Sequence, residues 1–330
     1  MDLPERWIVG VDIGGTNLVV GLVPARGGNP FGLRTQRTLS AEGPEAVVAR
    51  VVDMVVGVLA DFEAEGGSKG VVDGLGIGCP GPLDRTSGVV VTTPNLGWTR
   101  FPVRDRIAEA VDLPAALDND ANCAVLGEWW QGAGKGSRVL VGLTLGTGVG
   151  GGIVIDGRIF HGVGDVAGEI GHMTVDLDGR PCKCGNLGCL EAYASGPNIA
   201  ARAVEGLEFG ASSILPDLVE GMLSDVTAET ISRAAVQGDA YALSVMRETA
   251  EYLGAGIANV MNLLNPDTVV IAGGVTQAGE HLFAPLQEVV RKRAFASAVD
   301  RCRIVPAALP GTAGVVGAAA VFKQQDTGGL

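Results

Sequence analysis

Val9-Gly10-Val11-Asp12-Ile13-Gly14-Gly15-Thr16 lies over Val141-Gly142-Leu143-Thr144-Leu145-Gly146-Thr147-Gly148 when the chain is compared with itself. Gly10 falls on Gly142 and Gly14 on Gly146. Each stretch reads as a buried strand entering a glycine turn, and a second strand follows each turn: Leu18 to Val23 after the first, and the uncharged run ending at Ile155 after the second. Two copies of strand–turn–strand point to a duplicated α/β domain.

Working outward, Leu33 to Leu39 reads as a third strand, and Pro44 to about Glu65 as a helix. Val47, Val48, Val51, Val52, Val55, Val58, Leu59 and Phe62 give that helix an apolar stripe, and Pro44 suits its first turn. Leu75 to Gly78 and Ala115 to Leu117 read as short strands; the second runs through Asp118-Asn119-Asp120 into a helix reaching about Gln131. Further on, the pattern predicts a helix from Asp239 to Asn265, stopped by Pro266. A buried strand, Thr268 to Ala272, leads into Gly273-Gly274, and the last helix covers about Thr312 to Lys323.

The 330 residues suffice for roughly two domains. A net charge of −13 would repel nucleic acid and anionic membranes, so neither is expected as a partner. Glycine is abundant, at 51 residues, and sits within apolar segments, which predicts tight turns and close backbone approaches rather than a linker. No basic and apolar leader precedes Trp7, so the protein is expected to be cytoplasmic. Of six cysteines, Cys79, Cys123 and Cys302 are isolated and read as core; His161 and His281 have no motif around them and read as ordinary. Trp129-Trp130 reads either as an oligomer contact or as core.

Three constellations carry chemistry. In Asp12-Ile13-Gly14-Gly15-Thr16-Asn17, glycines bring backbone amides close to a phosphate, and the aspartate can hold Mg²⁺. An ordinary turn with an aspartate satisfying its own amides has the same composition. The second loop, Gly146-Thr147-Gly148, favours the phosphate reading, because two such tips can grip a polyphosphate. In Asp118-Asn119-Asp120, polar residues sit where a strand becomes a helix; they read as N-caps, or as a carboxylate placed to accept a hydroxyl proton. The sharpest signal is His172, Cys182, Cys184 and Cys189, a Cys₃His set suited to tetrahedral Zn²⁺. Four protein ligands leave no open position, so that zinc is expected to be structural.

Together, the glycine motifs, Asn119-Asp120-Ala121-Asn122, the Glu169 to Glu191 segment and Ala272-Gly273-Gly274 resemble the ROK family, and within it the bacterial glucokinases, over essentially the whole chain. The resemblance implies the actin/hexokinase-like (RNase H-like) pair of α/β domains with an inter-domain cleft. It implies a smaller domain of residues 1–120 plus 311–330 and a larger one of residues 121–310 carrying the zinc segment. It implies that Gly14, Gly15, Thr16, Asn17, Gly146, Thr147 and Gly148 cradle the ATP phosphates, that Asp12 acts through Mg²⁺, and that Gly273 and Gly274 lie near the adenosine. Asn119, Asp120, Glu169, His172 and Glu191 would hold the sugar hydroxyls, with Asp120 as general base. His172 would face zinc with one nitrogen and sugar with the other. Many members carry Lys where this chain has Asn17. The expected activity is ATP-dependent phosphorylation of glucose to glucose 6-phosphate. Fructose, mannose or an N-acylhexosamine as substrate, polyphosphate as donor, or a non-catalytic or DNA-binding sugar sensor are the alternatives. A homodimer or homotetramer is expected by the same resemblance.

Overall fold

The computed structural model describes residues 5–93 and 95–327; residues 1–4, 94 and 328–330, all within the smaller domain expected from the sequence, lie outside the described residues. By internal contacts the chain forms two compact units. The first takes the chain up to Arg138, then Gly152–Gly168, then the part from Ala308 onward; the second takes Val139–Gly151 and Glu169–Ala307.

The first unit is built on strands β1 (Trp7–Ile13), β2 (Asn17–Pro24), β3 (Phe31–Arg37) and β4 (Val72–Cys79). A small antiparallel sheet follows, β5 (Leu83–Asp84), β6 (Val89–Thr93) and β7 (Trp98–Phe101), and then β8 (Ala115–Asn119). The main sheet has the order β3-β2-β1-β4-β8, antiparallel over the first three strands and parallel from β1 to β8. β1 is buried along most of its length because both faces are covered. Val9, Val11 and Ile13 belong to the core made with Val47, Val51, Val55 and Val58 of the helix Pro44–Ala64. The alternate residues face the C-terminal helix, Ala313–Thr327. There the spacing tolerates no side chain: a Cβ on Gly76 would fall inside the Ala318 carbonyl, and one on Gly317 inside the Cys123 carbonyl. The glycine content therefore reflects helix–sheet and helix–helix contact at backbone distance.

The second sheet contains β9 (Val139–Leu145), β10 (Val149–Ile155), β11 (Arg158–Ile159), β12 (Thr268–Ala272) and β13 (Arg303–Pro306), in the order β11-β10-β9-β12-β13. Counted in chain order, both main sheets run third, second, first, fourth, fifth. The repeated motif opens both, on β1 and on β9, so the duplication read from the sequence holds at the level of topology.

β12 has the expected bounds. β3 runs two residues earlier than expected. Leu39 takes a left-handed backbone (φ 50) because Thr38 is bound back to the first turn: its amide donates to the Thr16 carbonyl (2.9 Å) and its hydroxyl to the Gly14 carbonyl (2.7 Å). Among the described residues no helix is long and apolar enough to cross a membrane.

Candidate active site

In the first unit, candidate groups gather at the carboxyl ends of β1, β4 and β8. The turn after β1 is closed by the Gly14 amide donating to the Asn17 carbonyl (2.9 Å) and is braced by Thr38, leaving Gly15, Thr16 and Asn17 exposed. Asp12 stands one residue before the end of β1, packed so closely that a Cβ on Gly314 would collide with its carboxylate. Burial, and then the charge of Asp120, push its pKa up to about 7. A buried carboxylate with a second one close enough to raise its pKa fits a cation beside them; Mg²⁺ suits such oxygen ligands.

Asp120 opens the helix Asp120–Gln131. The side-chain oxygen of Asn119 accepts from the amides of Ala121 (2.9 Å) and Asn122 (3.2 Å), and Asp120 Oδ1 also accepts from Ala121 (2.9 Å). The capping reading of this segment is thus realised. Asn119 is the cap, its amide nitrogen left to donate, and Asp120 is the carboxylate at the helix N-terminus. Cys79 and Cys123, both fully buried, lie close enough to feel Asp12 and Asp120; burial pushes their thiols well up, so they stay protonated.

In the second unit, His172, Cys182, Cys184 and Cys189 place their ligand atoms within 4.8 Å of one another. Cys182 Sγ lies 3.8 Å from His172 Nδ1, and the Cys184 and Cys189 sulfurs are 3.7 Å apart. Tetrahedral zinc, about 2.3 Å from sulfur and about 2.0 Å from nitrogen, requires ligand atoms about 3.5–3.8 Å apart. The donor set fits. His172 Nε2 then points away from the cluster toward Glu169, at 4.0 Å. Glu191 leaves the same loop at the start of the short helix Glu191–Ala194. Its Oε1 lies 3.7 Å from Cys182 Sγ, and its Oε2 accepts from the Val149 amide (2.9 Å), just past the Gly146–Gly148 turn. A Cβ on Gly148 would strike that carboxylate, so the glycine lets acid and turn meet. Gly273 has φ +114 and lies against the Leu145 carbonyl, a position that only glycine fills. It sets Gly273-Gly274 beside the same turn.

The profile of the ROK family matches residues 8–325. A glucokinase of Halalkalibacterium halodurans is 40% identical over 98% of this chain and 97% of its own. A glucokinase of Thermotoga maritima is 37% identical over 98% and 99%. A crystallised ROK glucokinase of Streptomyces griseus, bound to glucose and AMPPNP, superposes with a TM-score of 0.83 at 34% identity, covering 96% of this chain and 98% of that one.

The chain belongs to the ROK family. Its fold is the actin/hexokinase-like α/β type expected from the sequence. Within this ROK chain, one unit brings together Asp12, the Gly14–Asn17 turn, Asn119 and Asp120. The other brings together Gly146, Thr147, Gly148, Glu169, His172, Glu191, Gly273, Gly274 and the three cysteines.

Three sequence readings change. Cys302 is only partly buried, at the foot of β13. Trp129 and Trp130 are half-buried and engaged within the chain: the Trp129 indole donates to the Ser137 carbonyl (2.8 Å), and Lys323 lies 5.2 Å over the Trp130 ring. His161 is not ordinary. Its Nε2 lies 2.7 Å from Asp118 Oδ2, on a carboxylate only 1% exposed that sits next to Asn119. Nothing local announces the pair, because 43 residues separate its members.

Proposed function

We infer that this chain is an ATP-dependent glucokinase, forming glucose 6-phosphate. The observation carrying the reading is the acid at the start of the helix Asp120–Gln131, with Asp12 beside it and a glycine turn directly after Asp12. Near-full-length identity to two glucokinases and the glucose and AMPPNP complex of a close structural neighbour support the sugar and the donor.

In this reading Asp120 accepts the proton of the attacking sugar hydroxyl, and Asn119 donates to a neighbouring hydroxyl. Glu169, His172 and Glu191 read the remaining hydroxyls. The turns Gly14–Asn17 and Gly146–Gly148 face the phosphates, each closed by its first amide, since Gly14 donates to the Asn17 carbonyl and Gly146 to the Gly148 carbonyl (both 2.9 Å), while Gly273 and Gly274 border the adenosine. Mg²⁺, held through Asp12, supplies charge neutralisation when bound. The loose transition state of phosphoryl transfer asks for positioning and electrostatics more than for a strong base, which suits a carboxylate at a helix N-terminus. Zn²⁺ held by His172, Cys182, Cys184 and Cys189 has no open position; its part is to fix the loop bearing Glu169 and Glu191.

The test is coupled ADP release with ATP and a panel of glucose, fructose, mannose and N-acetylated hexosamines, with polyphosphate replacing ATP in parallel. Glucose with ATP should give the highest kcat/KM. A higher value for another hexose moves the substrate, and no turnover with any of them removes the kinase reading.

A further inference from the structure

We propose that His161 and Arg85 are positioning residues for phosphoryl transfer, acting on Asp120 through the buried carboxylate of Asp118. The proposal rests on the reading of Asp120 as the base.

A carboxylate that is 1% exposed needs partners for its charge. Asp118 has four. Its Oδ1 accepts from the Asn119 amide (2.8 Å) and from Asn122 Nδ2 (3.1 Å), both within the strand-to-helix junction that bears Asp120. Its Oδ2 faces His161 Nε2 at 2.7 Å and Arg85 Nε at 3.2 Å. An ionised carboxylate only accepts, so His161 Nε2 carries the proton and donates. Arg85 comes from the turn between β5 and β6, and His161 from the segment just after β11. Arg85 also donates from Nη1 to Asp165 Oδ1 (3.1 Å), which closes a ring around residues 161–165.

One side of Asp118 therefore shapes the junction, and the other is gripped from two separate places in the first unit. The two grips are unequal. Arg85 Nε is buried yet makes no hydrogen bond, so its hold is an ion pair without directional geometry. The only directed hydrogen bond on Oδ2 among the described residues is that of His161. Without it the carboxylate can rotate, and the Asn119 amide and Asn122 side chain rotate with it. Asp120 is next in the chain. Misplacing a reacting group by about 1 Å costs about 10²-fold in rate.

A side chain that merely packs predicts a different result from one that donates. His161→Leu keeps the bulk and removes the donor; His161→Gln puts an amide N–H near the position of Nε2. Each is compared with wild type in kcat, in KM for glucose and for ATP, and in thermal midpoint. His161→Leu is expected to lose about 10–100-fold in kcat with glucose KM within about threefold, and His161→Gln to recover most of that loss. Unchanged kcat in His161→Leu overturns the proposal. So does equal impairment of both variants at equal thermal midpoint, which would mark the residue as packing alone. If His161→Leu does not fold, Asp118→Asn carries the test: it should lose a similar factor in kcat, and wild-type kcat there overturns the proposal. Wild type that turns over no hexose fails the kinase reading; active wild type with indifferent variants fails this one.

Discussion

The turn after β1 and the turn after β9 occupy the same place in two sheets of the same strand order, and they are built by different means. The first is braced by Thr38, a neighbour from the end of the same three-stranded meander, and its strand carries the acid Asp12. The second has Thr144 where the first has Asp12, and it is held from outside: Glu191 accepts from Val149, and the Gly196 amide donates to the Gly146 carbonyl at 2.9 Å. Duplication supplied the turn twice. The acid stayed in one copy, while the other came to lean on the metal loop. In the second copy the Gly146–Gly148 turn and the Cys₃His loop therefore share the carboxylate of Glu191.

The sharpest way to break this division is Asp120→Asn. It keeps shape and one acceptor but removes the base, and it should lower kcat by about 10²–10⁴-fold while glucose binding, followed by titration, persists. Near-normal turnover would leave the first unit without its acid.

Asp12 offers a contrast in stability. Its carboxyl is raised from 3.8 to about 7, so in metal-free protein its stabilising contribution is complete below about pH 4 and is lost as pH rises through about 7. Over that window metal-free protein should lose up to about 4 kcal/mol, since each tenfold change in proton affinity is worth about 1.4 kcal/mol. Asp12→Asn should flatten that slope, and Mg²⁺, which needs the carboxylate charged, should bind better as pH rises. Denaturation at pH 4.5, 6 and 7.5 checks this; identical slopes in wild type and variant would mean that Asp12 is not the strained group.

Chelation, or Cys184→Ser, acts on the second unit alone. The loop is also tied by contacts that need no metal: Tyr193 stacks on Tyr252 with ring centres 3.7 Å apart, Arg180 pairs with Glu205, and the Tyr193 hydroxyl donates to Asp176 at 2.9 Å. Folding should survive. Glucose affinity should fall about 10–100-fold, as when the support of a ligand shell is lost. Elemental analysis with glucose titration before and after chelation decides it, and unaltered affinity in metal-free protein would remove zinc from the site's architecture.

The finest distinction is between Glu191→Gln and Thr38→Val. Glu191 touches both the metal loop and the turn, so its change should raise KM for glucose and for ATP together, by about tenfold, since hydrogen bonds to charged groups are worth about 1.5–3 kcal/mol. Thr38→Val should move KM for ATP by only a few fold and leave glucose untouched, a neutral hydrogen bond being worth about 1 kcal/mol. If Glu191→Gln affects glucose alone, the two turns are braced independently.

Local patterns in the sequence carried the duplicated strands, the helix Pro44–Ala64, the cap at Asn119 and the Cys₃His spacing, because each is written within about twenty residues. The small sheet β5-β6-β7 was not legible: its strands are two to five residues long and alternate poorly. The ring of Arg85, Asp118, His161 and Asp165 was invisible for another reason. Its members meet only through tertiary structure, with no periodicity to mark them. Nor does the sequence show that Glu128, 2% exposed, accepts from the amides of Ala133 (2.8 Å), Ala308 (3.0 Å) and Leu309 (2.7 Å) and so anchors the approach to the last helix.

That last helix bears on how the protein is made. β1 leaves the ribosome first, yet the helix that seals one face of its sheet begins at Ala313. At about 5–20 residues per second, the completed first sheet waits on the order of 10–40 s with that face open. Until then Gly10 and Gly76 are bare backbone beside apolar strands, a surface that invites another unfinished chain. The contacts that complete the first unit are thus among the longest in sequence the protein makes, and such contacts form slowly. The last residue of the second unit, Ala307, is made before the helix that closes the first, so the unit begun first is the last to be completed.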